Sequence, residues 1–556
     1  MPTPKILKFV KKIQLESGDI VLISKDTVGH LAGWIDSLYR ASKNLPDCGI
    51  LSALILDTNK KIHWHGGFIA PNDFCPLSYG MTEKYHGQFP GTRQVDVVPF
   101  ICAIIKKKLV KELEIPENIG EDIFIDADYC LKAMASGFRV YATDKLAVIY
   151  QGGPKNERAV MDYARKFAEK AAMFKQKWSS ILSSHYTHSV LMQAKFATPS
   201  GFSMVARNYA RALTQSGIKV FIESLDTVLD ATPPTNDEIV NALMSARGDT
   251  FMPQIIWGQA PWFIKNSGVY KIGHCETEGT DVPKSWVHYC NMMDEIWVPT
   301  KWDREKFVKA GVNCPIYLVP QGIDPNYFHP EMAPMQTDAK ESVKFLCNAA
   351  WFPRKNLRNL IVSFQNEFKR GEDVCLILKT INLGLNTGIK EEIAKIPDKK
   401  ESANVYVKEE MIPDAELGCL YTMADALIMP TRGEAWGLPL FEALACGIPV
   451  VTTDYGAPSE ILKDKKGKPL PGVHFIKHRL VRANTPYVYL QRTNWAEPSL
   501  LDLQKKMRYL FENISKEKKE ALKTSKYIRE NYNWGACVKP IIERLKDIYS
   551  KNLKNE

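Results

Sequence analysis

Residues 432–447 read RGEAWGLPLFEALACG. Pro439 suits the first position of a helix and Gly447 suits the residue just past its end, so this stretch predicts a short helix over PLFEALAC. The free N–H groups at a helix start, together with the helix dipole, favour an anion there. One carboxylate, Glu434, comes before this helix, and a second, Glu442, lies inside it. The stretch therefore predicts an anion site with a carboxylate on either side.

A nucleotide sugar fits such a site. Glu442 would accept hydrogen bonds from the vicinal hydroxyls of a ribose, while the backbone at the helix start holds the phosphates. Glu434, on the other side of the anion, would meet the hydroxyls of the attached sugar. The alternative is one glutamate in an exposed turn and another on a helix surface. The glycine turn, the proline and the strand PVVTTD that follows favour the ligand site.

The chain around this stretch alternates strands and helices from about residue 185 onward, which predicts parallel sheets covered by helices. Residues 157–182 form a basic amphipathic pattern, which is typical of a helix on a membrane surface or, as we favour here, of a helix that packs one face on its own domain. Residues 1–155 read as a separate unit. We thus predict an N-terminal module over 1–155 and a linker helix over 156–184.

The composition is that of a globular protein, with 45% hydrophobic and 24% charged residues. No apolar run approaches the roughly 18 residues that span a bilayer, and the N-terminus lacks a signal-peptide core. The twelve cysteines show no metal-ligand spacing. We expect a cytoplasmic protein with reduced thiols, and peripheral membrane association stays open. The net charge of +10 favours an anionic partner.

The segment PTRGEAWGLPLFEALACGIPVVTTDYGAPSEIL (430–462) resembles the signature of glycosyltransferase family 4, whose members are retaining enzymes of the two-lobed GT-B fold. Four further segments resemble the family in the same order: SGFSMVARNYARALTQSGIKV, DEIWVPTKWDREKFVKAGV, VPQGIDPNYFHP and FLCNAAWFPRKNLRNLIVSF. The resemblance covers about 185–556. It implies two Rossmann-like lobes with parallel sheets and a cleft between them: an acceptor-side lobe over 185–335, a nucleotide-sugar lobe over 336–530 and a closing helix over 531–556.

The resemblance also assigns roles to matching residues. Glu442 corresponds to the ribose-binding glutamate and Glu434 to the glutamate that faces the donor sugar. Arg354 and Lys355 correspond to the basic pair on the diphosphate, where fixed cations stabilise the charge of the leaving group. This implies catalysis without a metal or other cofactor. The strand before this pair ends in Ala349-Ala350, where many members have Gly-Arg, so Arg354 takes the place of the usual arginine.

Backbone contacts to the donor follow from the same resemblance. Gly201 corresponds to the first-lobe glycine that lets the backbone approach the donor. Gly437 and Leu438 would donate backbone N–H groups. His274, in YKIGHCETEG, lies where the family often has a sugar-contacting histidine; a structural histidine, with Glu276 or Glu278 in the contacting role, is the alternative.

The N-terminal module resembles the second half of an inverting family 2 glycosyltransferase of GT-A fold, through GDIVLISKDTVGHLAGWIDSLYRA and DIFIDADYCLKAMASGFRVYA. Asp26 matches the last aspartate of that family's metal-binding turn. Asp126 matches its catalytic base and Asp128 the neighbour of that base. Because the nucleotide-binding half is missing, we expect a non-catalytic module for packing or acceptor binding.

These observations predict a retaining glycosyltransferase that moves a hexose from a nucleoside diphosphate sugar to an acceptor, which is a glycan, a lipid-linked molecule or a protein. Two alternatives stay open: a DNA-binding or DNA-modifying glycosyltransferase, and a catalytically dead scaffold that binds sugar nucleotides. Basic residues are spread along the chain rather than clustered, which disfavours nucleic acid. The intact Glu434, Glu442 and Lys355 disfavour the dead scaffold.

Overall fold

The computed structural model describes residues 9–29, 32–70, 74–152, 157–184, 186–198, 200–226, 240, 243, 251–381, 388–396 and 401–551. The chain divides into two compact units. The N-terminal unit comprises Met1–Thr187 and Thr232–Arg247, and the C-terminal unit comprises His188–Ala231 and Gly248–Glu556. None of the described helices combines the length and the apolar content that a bilayer crossing requires.

The N-terminal unit is built on a mixed sheet. Its strands are β1 Val10–Gln14, β2 Ile20–Ser24, β3 Thr27–Gly29, β4 Cys48–Leu56, β5 Ile62–Trp64, β6 Gly67–Ile69, β7 Pro76–Ser78, β8 Thr92–Val95, β9 Cys102–Ile105 and β10 Arg139–Tyr150. The main sheet follows the order β1-β2-β9-β4-β10-β3, and β4 and β10 are parallel. Its helices are α1 Trp34–Ser42, α2 Lys107–Glu112, α3 Ile123–Ala135 and α4 Glu157–Ser184.

Helix α4 is the basic amphipathic helix predicted from the sequence. Its Phe174 and Trp178 are buried in the core of the N-terminal unit. The ring of Phe167 lies 4.8 Å from that of Phe124 on α3. Lys177 of α4 forms an ion pair with Asp128 of α3. One face of this helix therefore packs on its own unit, as we favoured from its sequence.

The first lobe of the C-terminal unit carries a parallel sheet. Its strands are β11 His188–Ala194, β12 Ile218–Ser224, β13 Pro253–Trp257, β14 Tyr270–His274, β15 Glu295–Val298 and β16 Ile316–Leu318. They lie in the order β12-β11-β13-β14-β15-β16, and each neighbouring pair is parallel. The helices of this lobe are α5 Gly201–Gln215, α6 Lys284–Cys290 and α7 Lys301–Ala310, with a 3₁₀ turn at Ala260–Lys265.

The second lobe repeats the architecture. Its parallel sheet contains β17 Val343–Asn348, β18 Val374–Lys379, β19 Val405–Lys408, β20 Ala426–Met429, β21 Val450–Thr453 and β22 Val473–Ile476, and the strands β23 His478–Arg482 and β24 Asn494–Pro498 pair separately. The order β19-β18-β17-β20-β21-β22 is that of a Rossmann sheet. Its helices are α8 Leu357–Glu367, α9 Ile389–Ala394, α10 Leu417–Met423, α11 Leu438–Ala445 and α12 Ala457–Ile461. The predicted pair of parallel α/β lobes is confirmed.

The C-terminal helices are α13 Leu500–Asn531, α14 Trp534–Cys537 and α15 Lys539–Lys551. Helix α13 packs on α8 and α11 of the second lobe. Helix α15 returns to the first lobe, where Arg544 pairs with Glu295 at 2.6 Å and the hydroxyl of Tyr549 donates to the carbonyl of Ser189 at 2.8 Å. The chain thus closes on the lobe in which this unit began.

Candidate active site

In the second lobe, charged side chains cluster between β17 and β20, where the strand order reverses. Arg354 and Lys355 follow β17, and Glu434 follows β20. Lys355 Nζ lies 2.7 Å and 2.9 Å from the two carboxylate oxygens of Glu434, and Arg354 Nη1 lies 3.1 Å from Oε2. Because ligands of open parallel sheets bind at the carboxyl ends of the strands at such a reversal, this cluster occupies the expected ligand position.

Glu434 is an ionised carboxylate within this cluster. Glu434 is only 5% exposed. Burial by itself would raise the pKa of Glu434, but the adjacent Lys355 and Arg354 hold that pKa at about 2. Burial lowers the pKa of Lys355, and Glu434 opposes that change. The site therefore pairs an ionised carboxylate with two basic side chains.

A carboxylate of the first lobe reaches the same cluster. Glu278 Oε1 lies 3.2 Å from Arg354 Nη2, and the hydroxyl of Tyr489 donates to Glu278 Oε2 at 3.1 Å. The loop that carries Glu278 is fixed by Lys306, whose Nζ donates to the carbonyl of Thr277 at 2.8 Å. Arg354 is thus shared between Glu434 of its own lobe and Glu278 of the other. The sequence suggested Glu278 only as an alternative to His274 and gave no sign of its partner Arg354.

The two lobes are also joined at the start of helix α7. The backbone N–H groups of Lys301 and Trp302 donate to the carboxylate of Glu460 on α12, at 3.1 Å and 2.8 Å. A carboxylate at a helix N-terminus complements both the free N–H groups and the dipole. This contact links the lobes beside the charged cluster.

Glu442 lies inside helix α11, as predicted, and is 2% exposed. The hydroxyl of Tyr421 donates to Glu442 Oε2 at 2.6 Å, and Asn348 Nδ2 donates to the Tyr421 oxygen at 2.9 Å. Burial raises the pKa of Glu442 to about 7, although the Tyr421 hydrogen bond acts in the opposite direction. Sequence reasoning missed Tyr421 and Asn348, because they lie on α10 and β17 and no spacing connects them to Glu442.

The predicted helix start is present. Gly437 has a φ of 94°, in the left-handed region that favours glycine, and α11 begins at Leu438. Gly447 follows the helix with a φ of 76°. On the first lobe, a Cβ added at Gly201 would lie 3.5 Å from Leu438 Cδ1. The two backbone segments assigned to the donor therefore face each other across the lobes.

His274 ends β14 and is 1% exposed. Its ring centroid lies 4.3 Å from that of Trp257 and 5.5 Å from that of Tyr209. Burial lowers the pKa of His274 to about 3, so the ring is neutral. These contacts are typical of a core histidine, and its role as a sugar contact stays a prediction. The neighbouring Glu276 accepts a hydrogen bond from Gln321 Nε2 at 2.6 Å, and burial raises the pKa of that carboxyl.

Two of the three matched carboxylates of the N-terminal unit, Asp126 and Asp128, have structural hydrogen-bond partners. Asp126 is buried and accepts hydrogen bonds from the backbone N–H groups of Phe100 at 2.9 Å and Gly120 at 2.7 Å. Asp128 accepts from Trp178 Nε1 at 2.8 Å, whereas Asp26 is exposed. Among the described residues, no three His, Cys, Asp or Glu side chains are grouped as a metal site would require. The family 2 resemblance of this unit stays a prediction.

The fold and part of the second lobe are similar to known proteins. The two parallel lobes have the GT-B fold. Residues 334–480, which lie in the second lobe, match the family model described as glycosyl transferases group 1. The matched region contains Arg354, Lys355, Glu434 and Glu442.

Individual relatives are distant and cover part of the chain. A probable sucrose-phosphate synthase of Thermosipho melanesiensis is 24% identical over 230 residues, which are 40% of this chain and 45% of that protein. A GDP-mannose-dependent phosphatidylinositol monomannoside mannosyltransferase of Mycolicibacterium smegmatis is 27% identical over 201 residues, 33% of this chain and 50% of that protein. This chain thus spans about half the length of these relatives. The solved sucrose-phosphate synthase of Thermosynechococcus elongatus superposes over 66% of this chain and 100% of its own, with 12% identity and a TM-score of 0.47.

Proposed function

We propose that this protein is a family 4 glycosyltransferase that transfers a hexose, with retention of configuration, from a nucleoside diphosphate sugar to an acceptor hydroxyl. The observation that carries the proposal is the cluster of Arg354, Lys355 and Glu434 at the strand-order reversal of the lobe that matches the group 1 family model. The nearby start of α11 adds free N–H groups for the same anion.

Each charged group has a distinct task in this reaction. The diphosphate gains negative charge as the glycosidic bond breaks, and Arg354 and Lys355 stabilise that charge without rearrangement because their positions are fixed. Glu434 accepts hydrogen bonds from the hydroxyls of the donor sugar. The acceptor hydroxyl attacks from the face that the diphosphate leaves, through a transition state of oxocarbenium character.

The ion pairs of the cluster set a condition for donor binding. A diphosphate must compete with Glu434 and Glu278 for the guanidinium of Arg354 and the ammonium of Lys355. Glu278 belongs to the first lobe, so its displacement from Arg354 would free a carboxylate on the acceptor side. We therefore propose that Glu278, rather than His274, is the first-lobe side chain that lies next to the reacting atoms.

A donor-hydrolysis panel tests the proposal. Purified protein is incubated with UDP-, GDP-, ADP- and dTDP-hexoses, each with and without EDTA, and release of the nucleoside diphosphate is measured. We expect hydrolysis of one or more donors, undiminished by EDTA, because the cations of the site are side chains. Hydrolysis of no donor would refute the function. Full loss with EDTA and recovery with manganese would instead place the chemistry at the N-terminal unit and Asp26.

A further inference from the structure

The two lobes are joined by an ion pair that the proposed reaction does not use. Arg207 of α5 donates through Nη2 to Asp414 Oδ2 of the second lobe at 2.8 Å. The side chain of Arg207 is 4% exposed, whereas that of Asp414 is 56% exposed. Because an unpaired buried charge is costly, the buried guanidinium favours the arrangement of the lobes that brings Asp414 to it.

Arg207 also holds the donor side of the first lobe. Its Nη1 donates at 2.7 Å to the carbonyl of Phe196, which follows β11 and precedes α5. The carboxylate of Asp226 fixes the same segment, because its Oδ2 accepts from the backbone N–H groups of Phe196 at 2.7 Å and Ala197 at 2.9 Å. Helix α5 begins at Gly201, the residue assigned to the donor. One guanidinium therefore ties the approach to Gly201 to the second lobe.

Asp414 lies close to the predicted ribose contact of the second lobe. It begins the 3₁₀ turn Asp414–Glu416, which runs directly into α10. The hydroxyl of Tyr421, on α10, donates to Glu442 Oε2 at 2.6 Å. Burial raises the pKa of Glu442, and the negative charge of Asp414 raises it further. The pair of Arg207 with Asp414 thus reaches the ribose site both through the backbone of α10 and through its charge.

We propose that Arg207 is a positioning residue of the transferase: through Asp414 it aligns the donor-facing start of α5 with Glu442, which holds the ribose. On the proposed function the donor lies between these two segments, so its sugar and its ribose are correctly placed only when the lobes keep this arrangement. Arg207 acts through Asp414 and not on the reacting atoms. The inference rests on the proposed function and adds to it the contact that aligns the two halves of the donor site.

Donor hydrolysis by the full chain at pH 8 tests this role, with the nucleoside diphosphate hexose that the wild type hydrolyses fastest. We expect Arg207→Gln and Asp414→Asn each to lower kcat/KM by about tenfold or more, because a small misplacement of the reacting groups is costly. The double variant should be about as active as the single variants, since all three remove the same contact. Asp414→Glu keeps the carboxylate and should stay near the wild-type value. Additive losses in the double variant would overturn the inference.

The pH dependence of the donor KM separates this role from a general loss of structure. The charged and titratable groups around Glu442 are Tyr421 of α10, Asp414, Cys446 beside α11 and, next to Cys446, Arg529 of α13. Without Arg207 the charge of Asp414 is uncompensated, so the pKa of Glu442 should rise and the KM profile should move to higher pH. Without the carboxylate of Asp414 that pKa should fall and the profile should move to lower pH. A loss of structure would not move the two profiles in opposite directions.

The matched control is Arg508→Gln, which removes a guanidinium that pairs within the second lobe, 2.8 Å from Glu367. It should leave kcat/KM and the KM profile unchanged. Near-normal kcat/KM and an unmoved profile in Arg207→Gln would overturn the inference while the proposed function stands. Profiles that move in the same direction in both single variants would also overturn it. Asp414→Asn alters a mostly exposed side chain, so it carries the test where Arg207→Gln does not fold. A wild type that hydrolyses no donor would refute the proposed function itself, and the inference with it.

Discussion

At the scale of single residues, Glu442 differs from Glu434 in its charge state. Two cations keep Glu434 ionised, whereas Glu442 has only neutral hydrogen-bond partners and a pKa of about 7. A carboxylate accepts from both hydroxyls of a ribose, but a protonated carboxyl presents one donor of its own. The protonation of Glu442 is therefore coupled to donor binding.

This coupling predicts a pH-dependent affinity. As pH rises from 6 to 8, Glu442 loses its proton, so the donor KM should fall several-fold with little change in kcat. The measurement is a pH series of donor hydrolysis. The glutamine of Glu442→Gln does not titrate, so the donor KM of this variant should be higher than that of the wild type and independent of pH from 6 to 8. A wild-type KM that does not change with pH would contradict the assigned ribose contact.

The variant Tyr421→Phe tests the same contact between Glu442 and the ribose. The Tyr421 hydroxyl stabilises the ionised form of Glu442, so its removal should raise the pKa of that carboxyl and move the KM profile to higher pH. With a donor that lacks the ribose hydroxyls, wild type and variant should have the same KM. A purely structural effect of Tyr421 would instead raise KM and lower kcat to the same extent with both donors.

Lys355 provides a second test at this scale. Lys355→Ala should lower turnover at saturating donor by about a hundredfold or more, as when one fixed electrostatic stabiliser is lost. Lys390→Ala, on an exposed position of α9, is the matched control and should leave turnover unchanged. Near-normal turnover in Lys355→Ala would remove this residue from the diphosphate site.

At the scale of elements, the turn into helix α11 determines where the anion site points. Gly437→Ala places a Cβ at a φ of 94°, with Leu440 Cδ1 3.1 Å away, so the turn must distort. The substitution should cost about 1 kcal/mol or more in unfolding free energy and should raise the donor KM. Thermal unfolding and donor kinetics measure the two effects.

Gly467→Ala is the matched control for this substitution. Gly467 also has a positive φ, 76°, but a Cβ there would meet nothing within 4 Å. We expect a similar backbone cost and an unchanged donor KM. An equal rise of KM in both variants would mean that global stability, rather than the geometry of the turn, controls donor binding.

At the scale of the whole molecule, we predict that the matched carboxylates of the N-terminal unit serve its structure and take no part in the proposed reaction. Asp126→Asn places an amide where two backbone N–H groups need an acceptor, so it should destabilise the N-terminal unit by about 1–3 kcal/mol. Donor hydrolysis should stay near the wild-type rate. Glu434→Gln should abolish transfer while the chain stays folded. Loss of hydrolysis in Asp126→Asn with retention in Glu434→Gln would defeat this division.

The sequence by itself predicted the elements that carry the candidate site. Strands buried on both faces read as continuous apolar runs, and the proline and glycine around α11 mark its ends locally. These signals need no distant contact. For that reason the two parallel lobes, the helix at 438–445 and the positions of Glu434 and Glu442 on either side of its start could be predicted from the sequence.

Only the tertiary structure decided which side chains meet. Glu278 reaches Arg354 from the other lobe, and Tyr421 supports Glu442 from a preceding helix. Each of these relations joins residues far apart in the chain or depends on the packing of neighbouring strands. Local periodicity and spacing report secondary structure, but distances between elements and the loss of solvent around a charge arise only when the sheets assemble.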